Sequence, residues 1–239
     1  MSTSEPTIHS RGVIIPAAGR GTRFQSEVPK QYHVLAGVPI LIRSVRTALA
    51  VRHVRSVVVA VHADDIDVVN DLLRSAEVAD ERIHLVVGST ERQHSVSRAL
   101  LHPSLANVAT ILVHDAVRPL ASVDLWERVA EGAERTGAAI PALPVADTLK
   151  HVSADGIVLS TPDRSSFVRV QTPQGFAAER LRAAYALAER DGVAATDCAP
   201  IVERFGAAVH VVSGDETNFK ITTPYDLRVA AFLLANSDR

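Results

Sequence analysis

Cysteine, aromatic residues and net charge are all scarce in this chain of 239 residues. The single cysteine, Cys198, excludes a disulfide-bonded scaffold and favours a reducing, cytoplasmic compartment. Aromatic residues make up 4% of the chain, so aliphatic side chains must fill the core. A formal net charge of −2 gives neither the basic excess typical of nucleic-acid binding nor an acidic tail. No run approaches the roughly 18 apolar residues of a membrane span.

The N-terminus lacks the apolar segment of a secretory signal, and we expect residues 1–10 to form a disordered tail. Hydrophobic residues at 47% and charged residues at 22% are typical of a globular protein. We therefore expect residues 11–239 to form a single domain.

Short β-branched runs alternate with helix-like stretches along the chain. Continuous apolar runs are typical of strands buried on both faces, and their alternation with helices predicts an α/β fold with a mostly parallel sheet. A capping box from Thr90 to Gln93 and Thr223 before Pro224 predict two helix starts. The expected strands lie at about 13–15, 57–61, 85–87, 111–113 and 208–212, and the expected helices at about 40–50, 64–77, 91–101, 122–136, 177–190 and 198–206.

Residues 140–170 interrupt this rhythm because they show no helical period. Two alternating runs, 145–152 and 156–160, flank an Asp-Gly turn, which predicts a β-hairpin. An isolated hairpin is marginal in water, so we expect it to pack on another surface, such as a second subunit.

The first strand runs into a loop of small residues at 16–23. Such a loop at the carboxyl edge of a sheet lets backbone N–H groups approach a phosphate. Phe24 breaks the dinucleotide fingerprint, and no Walker A sequence follows. The loop therefore indicates either a phosphate site of another kind or a tight strand-to-helix turn.

Two cations and one acid complete the candidate site. Arg23 and Lys30 bracket the loop and suit an anionic ligand, although solvated surface cations explain most basic residues. Asp115 ends the fourth strand, where a carboxylate can hold Mg²⁺ or cap a turn. The ten histidines show no zinc-ligand spacing.

Nine short motifs, taken in order, resemble the cytidylyltransferases of the methylerythritol phosphate pathway of isoprenoid synthesis. They are Pro-Ala-Ala-Gly-Arg-Gly-Thr-Arg at 16–23, Pro-Lys-Gln-Tyr at 29–32, Glu-Arg-Gln-His-Ser-Val at 91–96, Val-His-Asp-Ala-Val-Arg-Pro at 113–119, Asp-Thr-Leu-Lys at 147–150, Asp-Arg at 163–164, Gln-Thr-Pro-Gln-Gly-Phe at 171–176, Thr-Asp at 196–197 and Asn-Phe-Lys-Ile-Thr at 218–222. Where this family usually has an acid after the Thr-Asp pair, this chain has Cys198.

The resemblance implies a Rossmann-like nucleotidyltransferase fold and a homodimer that exchanges β-arms, here about 144–167. It implies transfer of CMP from CTP to 2-C-methyl-D-erythritol 4-phosphate with Mg²⁺. The implied roles are transition-state stabilisation or sugar-phosphate positioning by Arg23, Lys30, Arg164 and Lys220; nucleotide binding by Pro16, Ala17, Ala18, Gly19, Gly88, Ser89, Arg92 and Ser95; acceptor binding by Arg118, Thr148, Thr172, Thr196 and Asp197; and metal binding by Asp115.

Cytidylyl transfer agrees with the lack of an obvious Ser-His pair or carboxylate pair in the sequence. A phosphate-monoester oxygen is already an anion near neutral pH, so its attack on the α-phosphorus of CTP needs no general base. Catalysis then depends on positioning and charge neutralisation. Three alternatives remain open at this point: a cytidylyltransferase for another polyol phosphate such as ribitol 5-phosphate, a nicotinamide-dependent oxidoreductase, and a non-catalytic nucleotide-binding module.

Overall fold

The computed structural model of the chain describes residues 9–20, 24 and 28–236. Seven helices lie in these ranges: α1 (Ile40–Ala50), α2 (Ile66–Ser75), α3 (Arg92–Leu100), α4 (Val123–Thr136), α5 (Ala178–Arg190), α6 (Ala199–Arg204) and α7 (Pro224–Asn236). The same ranges hold twelve strands: β1 (Arg11–Pro16), β2 (Val34–Leu35), β3 (Val38–Pro39), β4 (Val54–Val61), β5 (Ile83–Val87), β6 (Thr110–Val113), β7 (Ala138–Pro144), β8 (His151–Val152), β9 (Val158–Ser160), β10 (Val168–Val170), β11 (Gln174–Ala177) and β12 (His210–Ser213).

The central sheet has eight strands in the order β10-β7-β11-β6-β1-β4-β5, and β12 also pairs with β7. Strands β6, β1, β4 and β5 are parallel neighbours, as the sequence predicts. The carboxyl ends of these four strands therefore meet at one edge of the sheet, where open α/β folds bind ligands.

Helices cover both faces of this sheet because its central strands are apolar on both sides. Val13 and Ile15 of β1 face a core that includes residues of α1, α2 and α4. Ile14, between them, faces a second core built with α3, α5 and α6. Successive side chains of a strand point to opposite faces, so one continuous apolar run supplies both cores.

The predicted helices and strands are present with shifted ends, but one predicted helix start is wrong. Helix α3 begins at Arg92 after Glu91, and no side chain caps it, so Thr90 is not its N-cap residue. The start of α7 is confirmed: Thr223 Oγ1 accepts the N–H of Asp226 (3.3 Å), and Asp226 accepts the N–H of Thr223 (2.8 Å).

In the second half of the sheet, the sequence predicts β12 but not β7, β10 or β11. Strand β11 lies between β6 and β7 and is antiparallel to both, and β10 is antiparallel to β7. These strands are short or rich in alanine and proline, and only tertiary pairing distinguishes such runs from loop. The peptide bond between Thr172 and Pro173, just before β11, is cis.

The hairpin predicted for this region is present, with β8 and β9 paired antiparallel. Gly156 has φ +80° and donates its N–H to Ser153 O (3.0 Å), so the Asp-Gly sequence forms the turn. From residue 151 to residue 170 all side chains are exposed except the partly buried Ser153 and Pro162. The hairpin therefore projects from the sheet.

The disordered tail expected for residues 1–10 does not extend to residue 10. Residues 1–8 lie outside the described residues, but Ser10 is buried and its carbonyl accepts the N–H groups of Ala109 and Thr110. Ordered structure thus begins before residue 11. None of the helices in residues 28–236 has the length and apolar character of a membrane crossing.

Candidate active site

A cleft opens at the carboxyl ends of β1, β5 and β6. The segments that follow these parallel strands form most of its wall, and one lysine from the segment before α7 completes it. The lining residues are Pro16, Ala17, Ala18, Gly19, Lys30, Gln31, Ser89, Thr90, Arg92, Ser95, Asp115, Ala116, Val117 and Lys220. The structure thus brings together residues that are up to about 200 positions apart in the sequence.

The phosphate-loop segment 16–20 is held from both sides. Ala17 donates its N–H to Ala60 O of β4 (2.7 Å). From the other side, the buried Gln31 amide donates to Ala17 O (2.7 Å) and Gly19 O (3.1 Å). Both loop carbonyls are therefore bonded to the protein. Gln31 directly follows Lys30, but nothing in the sequence indicates this role.

Gly88 permits a close approach between this segment and the turn after β5. A Cβ atom at Gly88 would lie 2.7 Å from the Ala18 Cβ and 3.0 Å from the Ser95 Oγ, so no side chain fits there. The Ser95 hydroxyl instead braces the turn: it accepts the N–H of Ser89 (2.9 Å) and donates to Ser89 O (2.9 Å). Ser95 therefore shapes the wall beside Thr90.

Asp115 binds cations from two other parts of the chain. Its Oδ1 accepts Arg92 Nε of α3 (2.8 Å), and its Oδ2 accepts Lys220 Nζ (2.8 Å). Arg118 Nε lies 4.0 Å from the same Oδ2. The Asp115 side chain is 10% exposed, so one buried carboxylate faces three cations.

The cations set the protonation state of Asp115, and burial sets that of His114. Burial alone raises the pKa of Asp115, but Arg92 and Lys220 outweigh it and hold that pKa well below its usual range. Burial lowers the pKa of the adjacent His114 to about 3. His114 is therefore neutral, and its Nδ1 can accept the Thr172 hydroxyl (3.1 Å).

Thr172 supports the cleft from behind, since its Oγ1 accepts the N–H of Asp115 (3.0 Å). The buried Asn218 donates to Thr172 O (2.9 Å), and Arg118 donates to Asn218 O (2.7 Å). These bonds connect the segment that carries Lys220 to the end of β6.

Two guanidinium N–H groups next to Asp115 are buried and find no hydrogen-bond partner among the described residues: Arg92 Nη2 and Arg118 Nε. Arg92 Nη1 contacts Cys198 Sγ (3.5 Å), and a thiol is a weak acceptor for a cation. Burial raises the pKa of this thiol, which supports its neutral form. Buried donors without partners are costly, so this part of the cleft suits an anionic ligand.

Several residues of the sequence prediction lie away from the cleft lining. Thr148 and Thr196 are exposed, and Asp197 accepts Gln174 Nε2 (3.1 Å) beside Cys198. Arg164 lies beyond the hairpin and donates to Ala146 O of its own arm. Arg23 lies outside the described residues. A cluster of three or more His, Cys, Asp or Glu side chains able to hold a metal is absent from the described part of the chain.

Fold and cleft together are those of a Rossmann-like nucleotidyltransferase. The family model IspD, 2-C-methyl-D-erythritol 4-phosphate cytidylyltransferase, matches residues 12–236. The chain belongs to this family.

Individual relatives agree with this assignment. The chain is 45% identical to the 2-C-methyl-D-erythritol 4-phosphate cytidylyltransferase of Acidobacterium capsulatum, over 93% of this chain and 96% of that protein. The crystal structure of 4-diphosphocytidyl-2C-methyl-D-erythritol synthase from Anaerococcus prevotii superposes with a TM-score of 0.82 at 30% identity, covering 96% of this chain and 97% of the other. The crystal structure of 2-C-methyl-D-erythritol 4-phosphate cytidylyltransferase from Thermus thermophilus superposes with a TM-score of 0.74 at 35% identity. The match covers 93% of this chain and 98% of the other.

Membership of this family decides between the classes that the sequence leaves open. The chain is an enzyme, a cytidylyltransferase, and neither a nicotinamide-dependent oxidoreductase nor a non-catalytic nucleotide-binding module.

Proposed function

We propose that this protein transfers CMP from CTP to 2-C-methyl-D-erythritol 4-phosphate, forming 4-diphosphocytidyl-2-C-methyl-D-erythritol and pyrophosphate for isoprenoid synthesis. One observation carries the proposal: a single cleft joins the small-residue loop after β1 to Lys30, Arg92 and Lys220. Backbone N–H groups and cations that line the same cleft suit two phosphate-bearing substrates.

The reaction must bring two polyanions together, so its main obstacle is electrostatic repulsion. We propose that Lys30, with Arg23, neutralises charge on the triphosphate as pyrophosphate leaves. Lys220, with Arg118, then holds the acceptor phosphate near the α-phosphorus. No side chain needs to remove a proton, since the attacking phosphate oxygen is already anionic. Loss of one such charge is expected to reduce the rate about 10²–10³-fold.

The turn after β5 is proposed to bind the cytosine ring. Gly88, Ser89 and Ser95 form a narrow wall whose backbone groups can read the edge of a pyrimidine. The close approach of Ala18 to Gly88 leaves little room for a purine at this wall. Pro16, Ala17, Ala18 and Gly19 are proposed to bind the rest of the nucleotide.

We propose that the reaction depends on Mg²⁺, as the resemblance implies. Asp115, however, does not fit the role of a Mg²⁺ ligand while it is paired with the cations around it. Both Asp115 oxygens are paired with cations, and the three cations around it leave a net positive charge that repels a free divalent ion. Among the described residues that line the cleft, Asp115 is the only acid.

We propose that the active protein is a homodimer and that Arg164 serves the cleft of the partner. The hairpin region exposes large apolar side chains, which a second copy of the chain would cover: Val152, Ile157, Val158, Leu159, Phe167, Val168 and Val170. Thr148 and Arg164 would reach an acceptor only from this arm. The single cysteine supports our proposal of a cytoplasmic location.

Pyrophosphate release from each of the four nucleoside triphosphates, with 2-C-methyl-D-erythritol 4-phosphate as acceptor, tests the proposal. We expect turnover with CTP and little with the other three. Lys30→Ala provides the negative control and should lose turnover with only a small change in melting temperature.

A parallel assay with ribitol 5-phosphate examines the acceptor. Turnover of ribitol 5-phosphate without turnover of methylerythritol phosphate would contradict the proposed acceptor and leave the cytidylyl donor intact. Equal activity with ATP, GTP and UTP would contradict the proposed base selectivity.

A further inference from the structure

Asp65 is a buried carboxylate that lies outside the cleft lining but contacts both of the segments that carry its phosphate-binding residues. It ends a short 3-10 turn after β4 and is 7% exposed. One oxygen, Oδ1, lies 3.2 Å from Arg20 Nη1. The other, Oδ2, accepts the Tyr32 hydroxyl at 3.0 Å.

Each of these partners belongs to a different one of the segments that line the cleft. Arg20 directly follows the lining residues Pro16 to Gly19. Tyr32 ends the short turn that begins at the lining residue Lys30, and it is itself 8% exposed. The carboxylate on the neighbouring β4–α2 connection therefore gives these two segments a second connection, beside the direct bonds of Gln31 to Ala17 O and Gly19 O.

The chemistry of both contacts favours a firm connection. Burial and the nearby charge of Asp65 raise the pKa of Tyr32, so its hydroxyl stays protonated and donates. Arg20 also reaches His62 Nδ1 (2.9 Å), which is part of the same β4–α2 connection. Hydrogen bonds to a buried ionised acceptor are stronger than neutral ones.

We propose that Asp65 is a positioning residue for CTP: through Arg20 and Tyr32 it sets the spacing between the phosphate-loop segment and Lys30. Asp65 does not line the cleft, so it acts on the nucleotide only through these two partners. The inference rests on the proposed function of the cleft. It adds to that function a residue whose loss affects the nucleotide and spares the acceptor.

The chain offers a matched control in the preceding residue. Asp64 carries the same carboxylate, but its side chain is 78% exposed and lies 3.8 Å from Arg20 Nη2. Asp65→Asn removes the charge at Arg20 and retains an oxygen that can accept from Tyr32. Tyr32→Phe removes only the hydroxyl bond, and Asp64→Asn removes an exposed charge next to the connection.

We expect Asp65→Asn to raise the KM for CTP about tenfold, the effect of weakening one charge-assisted hydrogen bond, with an unchanged KM for the acceptor. Tyr32→Phe should raise the KM for CTP by a smaller factor, and Asp64→Asn should have the KM for CTP of the wild type. Arg20→Gln should add little to Asp65→Asn, because both substitutions break the same ion pair.

Two further measurements separate this inference from the proposed function and from a purely structural role. Calorimetric titration of CTP should show weaker binding to Asp65→Asn than to the wild type, and it needs no turnover. Wild-type protein that binds CTP but does not use methylerythritol phosphate would contradict the proposed acceptor and leave the role of Asp65 standing. Amide hydrogen exchange over residues 28–33 should be faster in Asp65→Asn.

The inference is overturned if Asp65→Asn lowers the melting temperature but keeps the wild-type KM and binding constant for CTP. It is equally overturned if the KM values for CTP and acceptor rise together, or if Asp64→Asn has the same effect. Should Asp65→Asn fail to fold, Tyr32→Phe decides: a wild-type affinity for CTP in that variant contradicts the proposal.

Discussion

Asp115 shows how the surroundings of a residue change the function that its type suggests. A carboxylate at the end of a parallel strand is a reasonable metal ligand on sequence alone. In the folded chain it is instead the counter-ion of Arg92 and Lys220. Its neighbours in space, which the sequence does not give, decide between these roles.

Asp115→Asn should lower the free energy of unfolding by ~3 kcal/mol, because removing the anion of a buried pair leaves cations without compensation. Urea denaturation measures this change. Inorganic pyrophosphate should stabilise the variant more than the wild type, since an anion then replaces the carboxylate. Equal stability of the two proteins in buffer would contradict the role of Asp115 as counter-ion.

His114 should make stability depend on pH in a defined direction. Its pKa in the folded protein is about 3, below the ordinary value of 6.5, so the unfolded chain binds a proton that the folded protein does not. The contribution of neutral His114 to the free energy of unfolding is fully present above pH 6.5. As the pH drops from 6.5 towards 3, this residue should lower the free energy of unfolding by ~1.4 kcal/mol per pH unit.

Urea denaturation at pH 7 and pH 5 measures this slope. His114→Asn should flatten it, whereas the exposed His94, replaced by Gln, should leave it unchanged. A slope in His114→Asn as steep as that of the wild type would assign the acid sensitivity to other groups.

At the scale of elements, helix α3 positions the segment that leads to Thr196 and Asp197. The Gln93 amide donates to Val193 O (2.8 Å) and accepts the N–H of Ala195 (2.8 Å). Gln93 belongs to the capping box that the sequence predicts, but its side chain instead bonds to a segment about 100 positions away. A capping pattern in the sequence indicates only hydrogen bonds to nearby residues. In the folded chain, backbone groups of a distant segment compete for the same side-chain amide.

Gln93→Leu should raise the KM for the acceptor about tenfold and leave the KM for CTP unchanged, because the segment next to Thr196 loses both bonds. Steady-state kinetics with each substrate varied in turn measure this. His94→Gln, one residue further along α3, is the control. A rise in the KM for CTP of similar size would mean that Gln93 acts on the nucleotide wall instead.

The sequence predicts the projecting hairpin, but a single chain leaves the apolar side chains of this hairpin region exposed. The Asp-Gly turn and the alternating runs are local signals; the turn forms between β8 and β9, whereas only the ends of the runs, 151–152 and 158–160, pair as strands. Strands β7, β10 and β11 lack such signals, because their conformation depends on pairing with distant strands. Local chemistry thus predicts the turn, whereas the antiparallel insertion of β11 required the structure.

On the scale of the whole molecule, the proposed dimer makes each active site depend on two chains. Arg164→Ala and Lys30→Ala should each be inactive alone. Mixed after dissociation and reassembly, they should regain about a quarter of wild-type activity, since half of the dimers carry one complete site. Pyrophosphate release measures the recovery.

Native mass spectrometry of the mixture is the control for subunit exchange. If heterodimers form and no activity returns, Arg164 does not act in the partner's cleft. Recovery that does not rise with the measured fraction of heterodimers would likewise exclude the arm as the route by which Arg164 reaches the cleft.

The amino-acid sequence is enough to predict the α/β alternation, the four parallel strands, the small-residue loop after β1, the hairpin turn and the family, because these depend on periodicity, turn chemistry and short motifs in order. The folded structure was needed to find that Asp115 pairs with three cations, that Gln93 bonds to a distant segment and that Asp65 contacts two segments next to the cleft. Such roles arise from which side chains meet when distant strand ends converge at one sheet edge, and spacing along the chain does not encode those distances.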